Sequence, residues 1–412
     1  MDHRATILLY LELLLALGIL YREGLMKTLR QKAVVLVMVG LAFVLRYCCM
    51  TYETLDYQDW IRVWIESLRQ TGAWAGLGQE IWSCNYNVPY LYFLAWFSGS
   101  DIYDLYLVKL LSIFFDVCMA AVVMKLVGHF TENPARRLTG FIGVLWLPSV
   151  YLNGAIWGQC DVIYAFFALL SIYLLLTEHP GWSVAAIAVS ISFKLQGIFL
   201  LPVYMVYLIA GRVRLRHLLV FPLTYILTIL PAVLAGRSFT ELLFLYISNT
   251  GTIGDGLNYN SSSLYALFDF SGFSTSGAST LGIMLAFLLC ADIFVWMLLR
   301  EKDIDDRVLL CVGLLFCIGV PFFLPHMHDR YFFMADVLSF ALAVIAPVTA
   351  PAAVLVSFGS LLGYHAYLKT RYLLPMRFGA VAMLLALLVV TVYTIFSLNH
   401  EKKVLTNPGD LV

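Results

Sequence analysis

Residues 104–127 read DLYLVKLLSIFFDVCMAAVVMKLV. A membrane-spanning helix needs about 20 consecutive, mostly apolar residues. This stretch has that length, with Lys109 and Asp116 standing seven positions apart on one helical face. Comparable runs lie at roughly 5–21, 33–50, 138–155, 162–177, 217–235, 277–299, 308–324, 332–346, 349–366 and 378–398. They predict an all-α polytopic membrane protein, a single integral membrane domain over residues 1–412 with about eleven transmembrane helices. Composition agrees: 61% of the 412 residues are hydrophobic and 13% charged, with mean hydropathy +0.86. Soluble domains carry about 25% charged residues. The formal net charge is zero, so electrostatics supply no reason for nucleic-acid binding.

Lys and Arg gather in cytoplasmic loops. Eleven crossings from an outside N-terminus place Arg22–Lys32, Arg136–Arg137, Arg212–Arg216, Arg300–Arg307 and Lys402–Lys403 on that side. Lys369, Arg371 and Arg377 break the pattern and fall outside. The run Ala5–Tyr21 has its basic flank after it, so it reads as a first span and not as a cleaved signal peptide. Trp182–Ile209 is too long for one span and carries Lys194 in its middle. It reads as two short helices in a membrane-buried hairpin, with Lys194 and Gly197 at the bend, where irregular backbone needs protein or a wet cavity around it.

Two long extracytoplasmic loops are expected, 51–103 and 236–276. In the first, Trp60, Ile61, Trp64, Ile65 and Leu68 fall on one face at helical spacing, opposite Arg62, Glu66 and Arg69. That pattern predicts an interfacial helix on the membrane surface, holding Asp56 and Asp59 just above the bilayer. Two roles stand for these carboxylates: a helix cap, which suits Asp59, or a proton acceptor for a hydroxyl, which suits Asp56. Cys84 and Cys160 fall near the same face, where a disulfide between them is one pairing left open.

Ionisable residues inside spans are expensive and point to function or pairing. Structural pairing is the expectation for Asp116, with Lys109 on its own face as a partner directly or through neighbours; Arg46 can snorkel outward to a phosphate or a loop carboxylate. Lys194 needs an anion, for which a lipid phosphate, Asp116 or Asp161 would serve. The richest polar patch is His326-Met327-His328-Asp329-Arg330-Tyr331. An arginine fork suits a phosphate, and two histidines without a third ligand make a metal the lesser reading. A solvated loop with Arg330 anchored at headgroups is the plain alternative. Asn258 and Asn260 offer amides for sugar hydroxyls or form an ordinary polar loop, and Asn260-Ser261-Ser262 matches a glycosylation sequon.

Taken in order, Asp56-Tyr57, Tyr86-Asn87-Val88-Pro89-Tyr90-Leu91-Tyr92, Lys109 with Asp116, Trp157-Gly158-Gln159-Cys160-Asp161 and His326–Tyr331 resemble a known set. From about residue 33 to 400 the chain resembles bacterial mannosyltransferase-like membrane proteins related to the second mannosyltransferase of GPI-anchor synthesis. More broadly it is similar to the GT-C superfamily. Two departures are Asp329 where the pattern has Glu, and the extra helix before residue 33. The resemblance implies a GT-C-like bundle in the bacterial plasma membrane. It also implies a polyprenyl-phosphate-sugar donor and a glycan, lipid or protein hydroxyl acceptor, with the active site on the extracytoplasmic face. Asp56 takes the role of base and Asp161 that of a second acidic residue. Arg330, His328, Lys194 and His326 are expected around the donor phosphate. Asp59, Tyr57, Trp157, Gln159, Tyr86, Asn87, Asn258 and Tyr331 are expected around the substrates. No cofactor is required, and a divalent metal stays optional because a monophosphate leaves little charge to neutralise. A transporter or flippase of lipid-linked sugar is the alternative, against which no inverted repeat is visible. A structural subunit of an envelope-polysaccharide complex is a further one.

Overall fold

The structure, a computed structural model, describes residues 2–248 and 256–406, with side chains through residue 399. Residues 249–255 of the second expected outer loop, and the Lys402–Lys403 side chains, lie outside the described residues. The main helices begin with α1 His3–Arg22, α2 Leu29–Cys49, α3 Arg62–Gln70, α4 Val88–Ser98, α5 Asp104–Phe130 and α6 Pro134–Trp146. They continue with α7 Asp161–Leu176, α8 Pro180–Phe193, α9 Val203–Ile209, α10 Val220–Leu234 and α11 Thr275–Leu298. The last four are α12 Asp306–Phe323, α13 Phe333–Ile345, α14 Ala350–Lys369 and α15 Arg377–Thr406. Two short strands, β1 Asn258–Tyr259 and β2 Met327–His328, pair in parallel. The protein is therefore an all-α polytopic membrane protein.

Among the described residues, eight helices are long and apolar enough to cross a membrane, and α6 with Pro148–Trp157 forms a ninth candidate bent by 42°. The expected spans at 162–177 and 332–346 form helices of only 16 and 13 residues. At 1.5 Å per residue these reach about 24 and 20 Å, short of a hydrocarbon core about 30 Å thick. For α13 the reason lies in Pro347, which disfavours helical backbone at the residue before it. Ala346 is accordingly extended, at φ −131° and ψ 90°. The expected bounds 332–346 and 349–366 fall on either side of this break, so α13 departs from a full span in length and not in position.

The chain divides into two compact units: Met1–Tyr173 with Gly181–Gly197 and Leu219–Ile253, and Leu174–Pro180 with Ile198–Leu218 and Gly254–Val412. In the first, α2 starts from a capping box in which Thr28 and Gln31 satisfy each other's backbone N–H. Inside the bundle Arg46 does not snorkel outward. It is fully buried, donates to Asp116 Oδ2 through Nε at 3.1 Å and Nη2 at 2.8 Å, and reaches the carbonyls of Ala42 and Leu145. Asp116 is thus structurally paired, with Arg46 and not with Lys109. Lys109 points instead to the carbonyls of Cys49 and Tyr52, at 2.8 and 2.6 Å. At one end of this unit Glu23 pairs with Arg137 and Lys125, so two of the basic stretches share that end.

The amphipathic helix of the first loop is present as α3, led by a π-helical turn Tyr57–Ile61. Most of its apolar face meets protein. Ile61, Trp64, Ile65 and Leu68 are buried among α4 and the 3₁₀ turn Ala75–Gly78, while Trp60 is exposed. Burying such a side chain contributes about 1.5–3 kcal/mol, which explains why the helix folds inward. Gly78 anchors the same region, since a Cβ there would lie 2.0 Å from the Ala235 carbonyl oxygen.

In the second unit Arg212 pairs with Asp306 at 2.8 Å, so its two basic stretches also share one end. Tyr372 donates to Asn260 Oδ1 at 2.7 Å, and Asn258–Tyr259 pairs with Met327–His328. The loop that broke the charge pattern, Lys369–Arg377, therefore lies at the same end as the His326–Tyr331 loop, as two helices out and back require.

Candidate functional site

In the first unit the sequence around Trp157 builds a turn that faces Asp56. Pro148–Tyr151 begins a helix that widens into a π-helical turn, Leu152–Trp157. Gly158 closes it in the left-handed conformation, φ 78°, ψ 27°. Glycine adopts that backbone without a Cβ penalty. Gly158 N–H donates to Gly154 O at 3.1 Å and Gln159 N–H to Asn153 O at 3.0 Å. Two side chains pin the outer backbone: Thr54 Oγ1 donates to Trp157 O at 2.9 Å, and Ser112 Oγ to Gln159 O at 2.7 Å.

Onto this turn comes Asp56, part-buried at the start of the Tyr57–Ile61 turn, where it makes no side-chain capping bond. Its Oδ2 accepts from Trp157 Nε1 at 2.9 Å and from Gln159 Nε2 at 2.8 Å. Tyr86 donates its hydroxyl to Gln159 Oε1 at 3.2 Å. Beneath lies a second carboxylate, Asp161, fully buried at the first turn of α7. Lys194 Nζ meets its Oδ1 at 2.5 Å, and Asn153 Nδ2 meets its Oδ2 at 2.8 Å. The Lys194 ammonium also sits 5.2 Å from the centre of the Tyr86 ring. Of the three anions that would serve Lys194, Asp161 is thus the one that does. The lysine stands where helix α8 breaks, just before the 3₁₀ turn Leu195–Leu200.

Other expected residues have internal partners. Tyr57 is fully buried with its ring edge-on to Tyr103, and burial raises its phenol above the ordinary range. Beside it Glu53 accepts from Tyr103 and Gln58, bonds that hold its carboxyl below the usual value. Asn87 caps α4 through Val88 N–H and donates to the Tyr225 hydroxyl at 2.9 Å. Asp59 is exposed in the first turn of the π-helical segment. Cys84 and Cys160 are both free thiols in this structure, and Cys84 Sγ is directed at the Tyr86 carbonyl.

The second unit carries the other polar loop. His326, at φ 61°, places Nδ1 2.7 Å from Gly256 O and Nε2 3.3 Å from Ser279 Oγ, so both ring nitrogens have protein neighbours. His328 stacks on Tyr259 at 4.6 Å and lies 5.2 Å from the Tyr331 ring. Arg330 Nη1 is 3.5 Å from Asp329 Oδ1. Asn258 uses its amide to hold Ser261, accepting from its N–H at 2.9 Å and donating to its carbonyl at 3.0 Å. That is the ordinary polar-loop role. A cleft of about 560 Å³ runs beside it, lined by Asn258, Asn260, Ala266 and Tyr372–Met376.

Sequence reasoning missed Asn153, the second partner of Asp161, and the turn contacts of Thr54 and Ser112. An asparagine inside an otherwise apolar expected span was the available signal for Asn153. It also missed Asp336, buried in α13 and accepting from Ser360 at 2.7 Å.

No curated protein matches the chain. The family described as Glycosyltransferase family 87 matches residues 86–325, more than half of the length. The matched stretch includes Tyr86, Trp157, Gln159, Asp161 and Lys194, whereas Asp56 precedes it and His326–Tyr331 follows it. A helical membrane bundle whose matched segment carries this polar network belongs to glycosyltransferase family 87, and the protein is a glycosyltransferase.

Proposed function

We propose that the protein moves a hexose, mannose being the one its motifs resemble, from a polyprenyl-phosphate donor to a hydroxyl acceptor at the extracytoplasmic face. The reaction is a single displacement with inversion. Asp56 takes the proton of the acceptor hydroxyl as that oxygen bonds to the anomeric carbon. The bond from this carbon to the phosphate oxygen breaks, and the polyprenyl phosphate leaves with the electron pair.

One observation carries the reading: two N–H donors converge on Oδ2 of a part-buried aspartate that makes no cap bond. A positioned carboxylate of this kind suits general base work, where geometry decides efficiency. Asp161 serves differently. Buried against Lys194 and Asn153, it supports the site from below instead of meeting the acceptor. Lys194 holds Asp161 and lies against Tyr86, and its ammonium has further donors to offer a phosphate. For the donor phosphate, Arg330 and His328 remain candidates on chemistry alone, since an arginine fork stabilises the charge that develops on a leaving phosphate.

The test is reconstitution in liposomes with polyprenyl-phosphate mannose, then the glucose analogue, and a panel of glycan acceptors. The expected result is sugar transfer with inverted anomeric configuration in the product. Movement of the donor lipid across the bilayer with no transfer would favour the transporter alternative instead.

A further inference from the structure

Trp157 and Gln159 are two residues apart, yet their side chains meet at one oxygen of Asp56. In a continuous α-helix such residues point about 200° apart. The left-handed Gly158 between them turns the chain so that both face the carboxylate. The two donors are chemically unequal. An indole N–H can only donate, so Trp157 has one useful orientation. A primary amide has a donating and an accepting half, exchanged by a half-turn of the group. With the amide turned over, Gln159 would present oxygen to a carboxylate, and two acceptors would face each other.

Asp56, an acceptor only, takes the NH₂ and leaves Oε1 for Tyr86. The Tyr86 hydroxyl lies 3.2 Å from Gln159 Oε1 and donates to it, because the amide NH₂ is already given to Asp56. The Tyr86 ring is itself held: Trp64 and Tyr90 lie 5.4 and 5.2 Å from it, and the Lys194 ammonium 5.2 Å. Ser112 fixes the Gln159 backbone from the other side.

We propose that Tyr86 is a positioning residue: its hydroxyl anchors the far side of the Gln159 amide, which holds that amide against Asp56 and so sets how the carboxylate faces the acceptor hydroxyl. The proposal rests on Asp56 being the base. It separates Tyr86 and Gln159 from substrate contacts, since their hydrogen-bonding groups point to each other and to the carboxylate.

The experiment is steady-state transfer from polyprenyl-phosphate mannose by Tyr86→Phe, Gln159→Leu, the double variant and Asp56→Asn. Losing a neutral hydrogen bond should lower kcat about fivefold in Tyr86→Phe, and losing a bond to a charged group about ten- to a hundredfold in Gln159→Leu. Donor KM should stay at the wild-type value. The double variant should match Gln159→Leu, because interacting residues are not additive. If Gln159→Leu does not fold, Gln159→Met, of similar length and without the amide, replaces it, and Tyr86→Phe should again add nothing. Additive losses, or a raised KM at constant kcat, would place Tyr86 on a substrate and overturn the proposal. Wild-type kcat in Tyr86→Phe alongside an inactive Asp56→Asn would overturn it alone. Full turnover by Asp56→Asn would overturn the base assignment as well.

Discussion

The loop that carries Asp56 and the loop that carries Arg330 hold similar residue types and use them differently. Around Asp56 the contacts are long-range in sequence: Trp157 and Gln159 come from about a hundred residues away, and Tyr86 meets Gln159 across 73 positions. Around Arg330 the contacts differ in kind more than in range: an ion pair between neighbours, and ring stacking across paired strands. Arg330 faces its neighbour Asp329 at 3.5 Å, and His328 stacks on the strand partner Tyr259. The first arrangement fixes one side chain against several rigid elements. The second holds a loop through strand pairing and ring stacking. Convergence of distant donors on one carboxylate oxygen is therefore the stronger sign of a prepared reacting group.

The comparison is broken most severely at the support beneath Asp56. Lys194→Met leaves Asp161 buried beside Asn153 without its cation. Removing one partner of a buried pair costs about 3–5 kcal/mol. Thermal unfolding in detergent should show that loss, and Lys194→Met with Asp161→Asn should recover much of it. An unchanged unfolding temperature for the single variant would mean the pair supports nothing.

Gly158→Ala is smaller. A Cβ there would meet Val108 at 3.8 Å and Lys109 at 4.0 Å, which is ordinary contact, so the cost is backbone strain at φ 78°. That amounts to about 1–2 kcal/mol, accompanied by reduced transfer as Trp157 and Gln159 lose their common target. Gly158→Asn should be milder, because asparagine tolerates this conformation better. Equal and undiminished activity in both variants would detach the turn from the site.

Arg330→Ala sharpens the comparison from the other side. It should weaken binding of the polyprenyl-phosphate donor about tenfold, the scale of one charge-assisted hydrogen bond, with a smaller effect on stability than Lys194→Met. Unchanged donor affinity in a lipid-binding assay would remove Arg330 from the phosphate site.

What was legible in the sequence follows from range. The spans were visible because apolar runs are contiguous, and Asp116 announced a structural partner because a charge at that depth needs one. The identity of that partner, Arg46, was not visible, since nothing in a single chain says which helix faces which. Hydropathy placed α13 to within a residue at each end, but an apolar run does not reveal that its 13 residues are too few to cross. The amphipathic period of α3 was correct, but period cannot distinguish a membrane surface from the apolar faces of α4 and the Ala75–Gly78 turn. The Trp157-Gly158-Gln159-Cys160-Asp161 stretch stood out as a polar cluster. Its division of labour, with Gln159 on Asp56 and Asp161 turned down to Lys194, depends on the left-handed Gly158 and is conformational.

The most direct measurement is transfer of radiolabelled sugar from polyprenyl-phosphate mannose by Asp56→Asn, with donor binding and unfolding temperature followed on the same sample. Asparagine keeps the shape and an acceptor oxygen for Trp157 and Gln159 but cannot take up the hydroxyl proton. The expected result is a folded protein that binds donor with wild-type affinity and transfers no sugar above background. Transfer at the wild-type rate by that variant would contradict the assignment of Asp56 as the base.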